Sequence, residues 1–444
     1  MTNERSFRYG GVRLPYKKLH VEYPIPNAFL PTDAVIPLRQ HAGQSAKRVV
    51  EPGEYIREGQ LIGKAVGAGS ANVHSPIPGL VKSIKRIPDI QGDHVEAVAV
   101  ALEGAFDRLG KKTEVLPWRS LSKHQILRAL ADKGVVDDDG SGSILFDRLH
   151  DPNGERGPCV LVVNCIESDP WFSSAEAILH ERAEAVAEGI DILKRILSPQ
   201  RSLLAIEGAG DGLPDVFRSP SAYDDAKLEI LSFKSQYPQD LPTLLREAII
   251  GRKTCSENVI TVTVSTVASV YDAVVLNKSQ IERYVTVVGD AVKEPGILRA
   301  RIGTSVGELL EECGGFRAAP ESILMNGPLR GSAVADLDLP VLKTTRSIVA
   351  LTSAETHRGR TTSCIRCGRC VLGCPERIDP SRLYKRVVRR DWEEAAREGL
   401  YDCTECGTCA YLCPSRLPLV QVISLARREA ARNGLSGKAE GRIV

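Results

Sequence analysis

Two stretches near the C-terminal end share one spacing: Cys364-Ile-Arg-Cys367-Gly-Arg-Cys370-Val-Leu-Gly-Cys374-Pro375 and Cys403-Thr-Glu-Cys406-Gly-Thr-Cys409-Ala-Tyr-Leu-Cys413-Pro414. Each reads C-x2-C-x2-C-x3-C-P, a run that must curl tightly if its thiols are to act together. Three cysteines at this spacing can wrap three corners of one iron–sulfur cubane, with Gly368 and Gly407 easing close backbone approach. The fourth, followed by a helix-starting proline, points away and serves the neighbouring cluster. The spacing therefore assigns Cys364, Cys367, Cys370 and Cys413 to one [4Fe–4S] cluster, and Cys403, Cys406, Cys409 and Cys374 to a second. A pair of zinc sites is the rival reading, because CxxC pairs also hold zinc. Four cysteines closed by proline, and repeated, match iron–sulfur more specifically.

These motifs take eight of the twelve cysteines. A chain of 444 residues with no apolar leader in Met1 to Gly10 gives little reason to read them as disulfides. Cys159, Cys165, Cys255 and Cys313 are expected to be small buried apolar residues. No run approaches the roughly 18 apolar residues of a spanning helix, so membrane association is expected to come through a partner. The 58 Lys and Arg nearly balance the 56 Asp and Glu, which argues against nucleic acid. The balance is uneven, however. From Thr356 onward there are 17 basic and 10 acidic residues, a solvated helix surface or a docking face for an acidic partner.

Around the motifs, Asp379-Pro380 reads as an N-cap and first turn. It opens a helix with Leu383, Val387, Val388, Trp392, Ala395 and Ala396 on one face, ended by Gly399. A second helix starts at Pro418, carries Leu419, Val422, Ile423 and Ala426 inward, and stops at Gly434. Two cluster loops bracketed by helices make an α-helical ferredoxin-type module over 356–444.

The rest divides into three units. Residues 1–110 are β-rich and punctuated by turns at Pro52-Gly53, Glu58-Gly59 and His74-Ser75-Pro76-Ile77-Pro78-Gly79, with His74 expected at the surface. This pattern resembles a biotinyl/lipoyl-type barrel-sandwich hybrid, but no lysine lies between Val66 and Val81 to carry a prosthetic group. Residues 111–278 alternate helices (Ser122 to Ala131, Ala175 to Ile196, Leu241 to Ile250) with strands (Cys159 to Asn164, Ser202 to Gly208, Asn258 to Val264), an α/β pattern with a parallel sheet. Residues 279–355, with Gly289, Pro295-Gly296, Gly303-Thr304 and Gly314-Gly315, resemble an SLBB-type β-grasp domain. The fold class is thus multidomain α/β and α+β.

That order of units resembles the RnfC family of the Rnf-type, ion-translocating electron transport complex over nearly the whole chain. The likeness rests on Tyr237-Pro238-Gln239, Gly251-Arg252, Gly289-Asp290-Ala291-Val292, Gly303-Thr304, Gly327-Pro328 with Gly331, and the two cysteine motifs. Relatives by architecture are the cobalamin reductase of propanediol-utilising compartments and the flavin-binding subunit of complex I. The resemblance implies an α/β domain that binds FMN and takes a hydride from NADH, with electrons leaving one at a time through the clusters toward membrane subunits. It places the flavin at Gly140, Gly142, Glu167 and Asp169.

One segment departs from the family pattern. Where the family has a loop like G-x-G-G-A-G-F-P-T, this chain has Gly134-Val-Val-Asp137-Asp138-Asp139-Gly140-Ser-Gly142-Ser. Glycines there let backbone N–H groups close on phosphate; about three aspartate charges would repel a phosphate carrying about two. The second flavin segment, like N-G-A-E-C-E-P-Y in the family, is Asn164-Cys165-Ile166-Glu167-Ser168-Asp169-Pro170-Trp171, bulkier at Cys165 and Ile166. The loop sets both FMN and NADH binding in question.

The resulting expectation is a cytoplasmic electron-transfer subunit, peripheral on the inner face of the cell membrane through the membrane subunits of an Rnf-like complex. It would exchange electrons with a ferredoxin or flavoprotein. The alternatives are an FMN-dependent NADH dehydrogenase or cobalamin-reductase-like flavoprotein, and a scaffold whose clusters are structural.

Overall fold

The computed structural model describes residues 4–432 except 16–17, 90–92, 105–114, 152–153, 155–156, 209, 211, 219–227, 252–257 and 357–358. Cys255 and Gly434 fall outside the described residues. In the first unit, strands Asp33–Pro37, His94–Leu102, Gly79–Pro88 and Tyr55–Ile56 form an antiparallel sheet in that order. A smaller sheet of Lys47–Arg48, Leu61–Lys64 and Val73–His74 accompanies it. The alternation of Ala34, Ile36 and Leu38, and of Val98 and Val100, sends one face of each strand into a shared core with Ile56, Ile62 and Val73. His74 lies in that region but is buried, contrary to the surface position expected of a turn residue. Burial drives its ring down to about 3, with Lys343 and Lys133 adding to the effect.

The α/β unit is a four-stranded parallel sheet in the order Glu229–Phe233, Arg201–Glu207, Cys159–Asn164, Asn258–Thr263. Cys159–Asn164 is buried along its whole length, as a central strand covered on both faces requires. Helices Lys123–Asp132, Ala183–Leu197 and Val264–Val274 pack in the core on one side; Leu245 and Ile249 of the helix Pro242–Ile250 pack on the other. The long helix expected from Ala175 to Ile196 is two, Ser174–Glu181 and Ala183–Leu197, broken at Arg182. Arg182 there makes a two-pronged ion pair with Asp272 at 2.6 and 2.9 Å. Cys159, Cys165 and Cys313 are buried.

The next unit is a five-stranded sheet, Gly296–Arg301, Glu282–Val288, Ser347–Leu351, Ser322–Met325 and Ser332–Ala333 in that order. Its core is shared with the helix Val306–Glu312, which Ser305 and Glu308 open with a reciprocal capping box. Lys343 in this unit donates to the carbonyls of Asn72 (2.9 Å) and Gly134 (2.6 Å), tying three units at one buried ammonium.

The last unit is helical. Asp379 caps Pro380–Val388 through the N–H groups of Ser381 and Arg382. The single helix expected through Ala396 is interrupted, because Arg390 turns left-handed (φ 59°) and Asp391 begins a second helix, Trp392–Arg397. Among the described residues no helix is long and apolar enough to cross a membrane.

Candidate functional site

Both cysteine motifs fold to one template. Arg366 and Glu405 take left-handed backbone (φ 57° and 55°), then Gly368 and Gly407 do so (φ 74° and 77°). Each glycine opens a single helical turn, Arg369–Leu372 or Thr408–Tyr411. Non-glycine residues in that region are strained, and holding them there needs outside contacts. Gly407 has a second constraint: a Cβ on it would lie 2.4 Å from the carbonyl oxygen of Leu329.

Cys374, Cys403, Cys406 and Cys409 line one hollow together with apolar residues such as Ile378 and Ile423. Cys364, Cys370 and Cys413 gather around Leu417, Leu419 and Val420, a group that Cys409 also joins, while Cys367 is exposed. Burial raises the Cys374 thiol to about 11 and the Cys403 thiol to about 12, and the neighbouring thiols add to the effect. Burial and the same neighbours raise Cys409 further. Thiols so disfavoured as anions need metal charge to hold them as thiolates. Among the described residues no three His, Cys, Asp or Glu side chains converge on a point that one ion could occupy. Tetrahedral zinc needs its sulfurs about 2.3 Å from one centre, whereas a cubane carries each thiolate on a separate iron. The buried, thiol-lined hollow fits a cubane.

The flavin positions are built differently. In an open parallel sheet, ligands bind outside the carboxyl ends of the strands where the strand order reverses. Here that point lies between Cys159–Asn164 and Asn258–Thr263. Asp137 and Asp138 occupy it, 0% and 3% exposed. Asp137 accepts hydrogen bonds from Thr263 (2.8 Å), Thr266 (2.9 Å) and Arg148 (2.6 Å). Asp138 accepts from Ser265 (2.7 Å), Thr263 and Arg283. Thr263 is the N-cap of Val264–Val274 and its hydroxyl accepts from the Thr266 N–H, so the two carboxylates sit against the hydroxyls of that helix's first turn. The sequence suggests a repulsive cluster of aspartates; in the structure Asp137 and Asp138 are buried with hydroxyl and guanidinium partners.

Of the four predicted flavin residues, Gly142, Glu167 and Asp169 are buried. Gly140 is exposed, and the Gly142 carbonyl accepts from the N–H of Ala42 in the first unit at 2.8 Å. Glu167 accepts from Ser174 (2.8 Å) and the Ala175 N–H (2.9 Å), and pairs with Arg346 at 3.3 Å. Asp169 accepts from the Trp171 N–H at 3.1 Å, and its other oxygen lies 2.4 Å from where a Cβ on Gly327 would stand. As carboxylates Glu167 and Asp169 offer a phosphate no hydrogen-bond donor, while Gly140 stays open.

Electrostatics explain how so many charges stay buried. Burial alone would raise Asp138, but Arg283, Arg346 and the hydroxyls of Thr263 and Ser265 outweigh it and hold it below the usual range. Asp240 follows the same logic against Arg330 and Arg346. Asp137 and Asp169 go the other way. Burial raises both, helped by Asp139 and Asp138 at Asp137, and Asp169 reaches about 6. Opposed shifts can mark an acid–base pair, but at this depth no substrate reaches Asp137 or Asp138.

Reading the sequence did not find the part played by Tyr237 and Thr408. The Tyr237 hydroxyl donates to the Cys406 carbonyl at 2.5 Å, and the Arg330 guanidinium sits 5.5 Å from its ring centre. Thr408 is wholly buried and 3.4 Å from the Cys406 sulfur. Nor was it evident that Phe7 packs with Tyr237 and Cys406. No signal short of the fold joins residues so far apart.

Residues 6–105 match the family described as RnfC Barrel sandwich hybrid domain, and 131–278 the Nuo51 FMN-binding domain. Residues 284–331 match the SLBB domain, and 363–417 the 4Fe-4S dicluster domain. The chain is 35% identical to the RnfC-type subunit of the ion-translocating oxidoreductase complex of Rhodobacter capsulatus, covering 93% of this chain and 80% of that one. It is 31% identical to the corresponding subunit of the proton-translocating ferredoxin:NAD(+) oxidoreductase complex of Clostridium ljungdahlii, covering 98% and 96%. Among solved structures it is similar to a chain of an NAD+-reducing [NiFe]-hydrogenase in the H2-reduced state, with 15% identity, a TM-score of 0.49, and coverage of 75% and 69%.

Proposed function

The chain belongs to the RnfC family of ion-translocating oxidoreductase complexes, and from that premise we propose that it relays single electrons through two [4Fe–4S] clusters without a flavin of its own. The observation that carries the second half is the crevice, where Asp137 and Asp138 lie buried against the hydroxyls of Thr263 and Ser265 at the start of Val264–Val274. Cys374, Cys403, Cys406 and Cys409 would hold one cluster, supported by their shared hollow. Cys364, Cys367, Cys370 and Cys413 would hold the other. A bound cubane supplies a one-electron couple. The chain's part is to anchor it, exclude water and set its electrostatic surroundings, and no proton transfer is required of it.

Electrons would cross the surface at the exposed Cys367. Beside it Ile365 and Leu372 are 67% and 68% exposed, and Arg360, Arg366 and Arg369 make no ion pair among the described residues. Between Thr356 and Pro375 the chain has no Asp or Glu. Such a face suits an acidic one-electron carrier such as a ferredoxin, steered by charge and released readily. The chain would sit peripherally on the inner face of the cell membrane, bound to the complex's membrane subunits.

Two measurements test this. Chain purified without oxygen should contain about eight iron and no FMN, and NADH should not reduce its clusters. One flavin per chain with NADH-driven reduction would restore the dehydrogenase reading instead. Clusters that dithionite reduces but no protein carrier does would favour the scaffold. Separately, the Arg366→Glu, Arg369→Glu double variant should slow reduction by an acidic bacterial ferredoxin about tenfold at low salt. Reduction by dithionite should be unchanged. Equal rates with ferredoxin would remove this face as the port.

A further inference from the structure

The two motifs share a backbone template, so any difference between their clusters must come from what surrounds them. The surroundings differ most at the middle cysteines. Cys367 is exposed, whereas Cys406 is 8% exposed and packed with Phe7, Tyr237, Leu241 and Leu244. Two hydroxyls address Cys406 from opposite ends. Thr408 lies 3.4 Å from its sulfur, and Tyr237 donates to its carbonyl at 2.5 Å. In the first motif the position of Thr408 is taken by Arg369, an exposed side chain with no hydroxyl.

Once Cys406 is a cluster-bound thiolate its sulfur can only accept, so the Thr408 hydroxyl must donate to it. Reduction adds one negative charge to the cluster, spread partly onto the sulfurs. Burial works against that charge, and hydrogen bonds toward it favour the reduced state. Gly407 lets the Leu329 carbonyl approach the motif closely.

We infer that Thr408 and Tyr237 are positioning residues that set the reduction potential of the second cluster, keeping a buried cubane reducible and its potential apart from that of the first. This rests on the two-cluster reading of the cysteine motifs.

The test is a mediated redox titration, followed by electron paramagnetic resonance, of the anaerobically purified full chain. In Thr408→Val the second cluster's reduced-to-oxidised ratio at a fixed potential should fall about three- to tenfold, a tenfold change being about 59 mV for one electron. Tyr237→Phe should shift it in the same direction, and the first cluster should not move. Thr408→Ser keeps the hydroxyl and should titrate as the parent does, which separates donation from packing. A Thr408→Val midpoint equal to the parent's, or equal shifts in both clusters, overturns the inference. Mediators and dithionite poise the clusters whether or not a protein donor exists, so failure of the relay reading would leave this result legible.

Discussion

Replacing Asp138 with alanine is expected to destabilise the α/β unit by about 3–5 kcal/mol, the cost of stranding one partner of a buried ion pair. Arg283 is 4% exposed and pairs with Asp138, and its Nε has no partner in the structure. With the carboxylate gone, its charge would face only the Ser265 hydroxyl at 3.0 Å. Thr263 and Ser265 would lose an acceptor as well. Arg283→Met should cost a similar amount from the other side. A double replacement, Asp138→Leu with Arg283→Met, should recover much of the loss, because no charge is then left buried alone. A four-unit chain does not unfold in two states, so the measurement is amide exchange across Val136 and Thr261–Thr266. Protection unchanged in Asp138→Ala would show that this pair is not what closes the crevice.

The other large effect concerns which thiols serve which cluster. Cys374 belongs to the first motif in sequence but lines the hollow of the second. Cys374→Ala should therefore damage the second cluster and spare the first, with iron falling from about eight toward about four per chain. Cys413→Ala should do the converse. The two losses can be told apart because only one cluster is buried beneath Tyr237. If Cys374→Ala removed the first cluster's signal instead, each motif would be closing on its own cube and the crossed assignment would be wrong.

The cysteine module was the most legible part of the sequence, because a cubane loop is local: spacing, two glycines and a proline specify it within a dozen residues. The sheet strands were legible for a similar reason. Cys159–Asn164 is an uninterrupted apolar run that only a covered strand explains. The helix break at Arg390 was not, since an amphipathic face can continue across a left-handed residue without changing its period. The aspartate loop was read with the wrong physics. Three adjacent carboxylates look repulsive until their partners are known, and Arg148, Arg283, Thr263 and Ser265 come from three other stretches of chain. His74 failed likewise: turn chemistry predicts exposure, but Lys343, some 270 residues later, belongs to a unit that packs over that turn.

The N-terminal segment has a consequence for the order of events in biosynthesis. Arg5 pairs with the edge strand at Phe233, the Gly11 N–H donates to the Gly373 carbonyl at 2.9 Å, and a Cβ on Gly10 would stand 2.7 Å from the backbone of Cys374. Phe7 meets Cys406. This segment thus finds its seat only once the cysteine motifs, far along the chain, have folded. Until then Cys406 lacks the cover of Phe7. A cluster set into the second motif before the segment docks is then expected to be better sheltered after it.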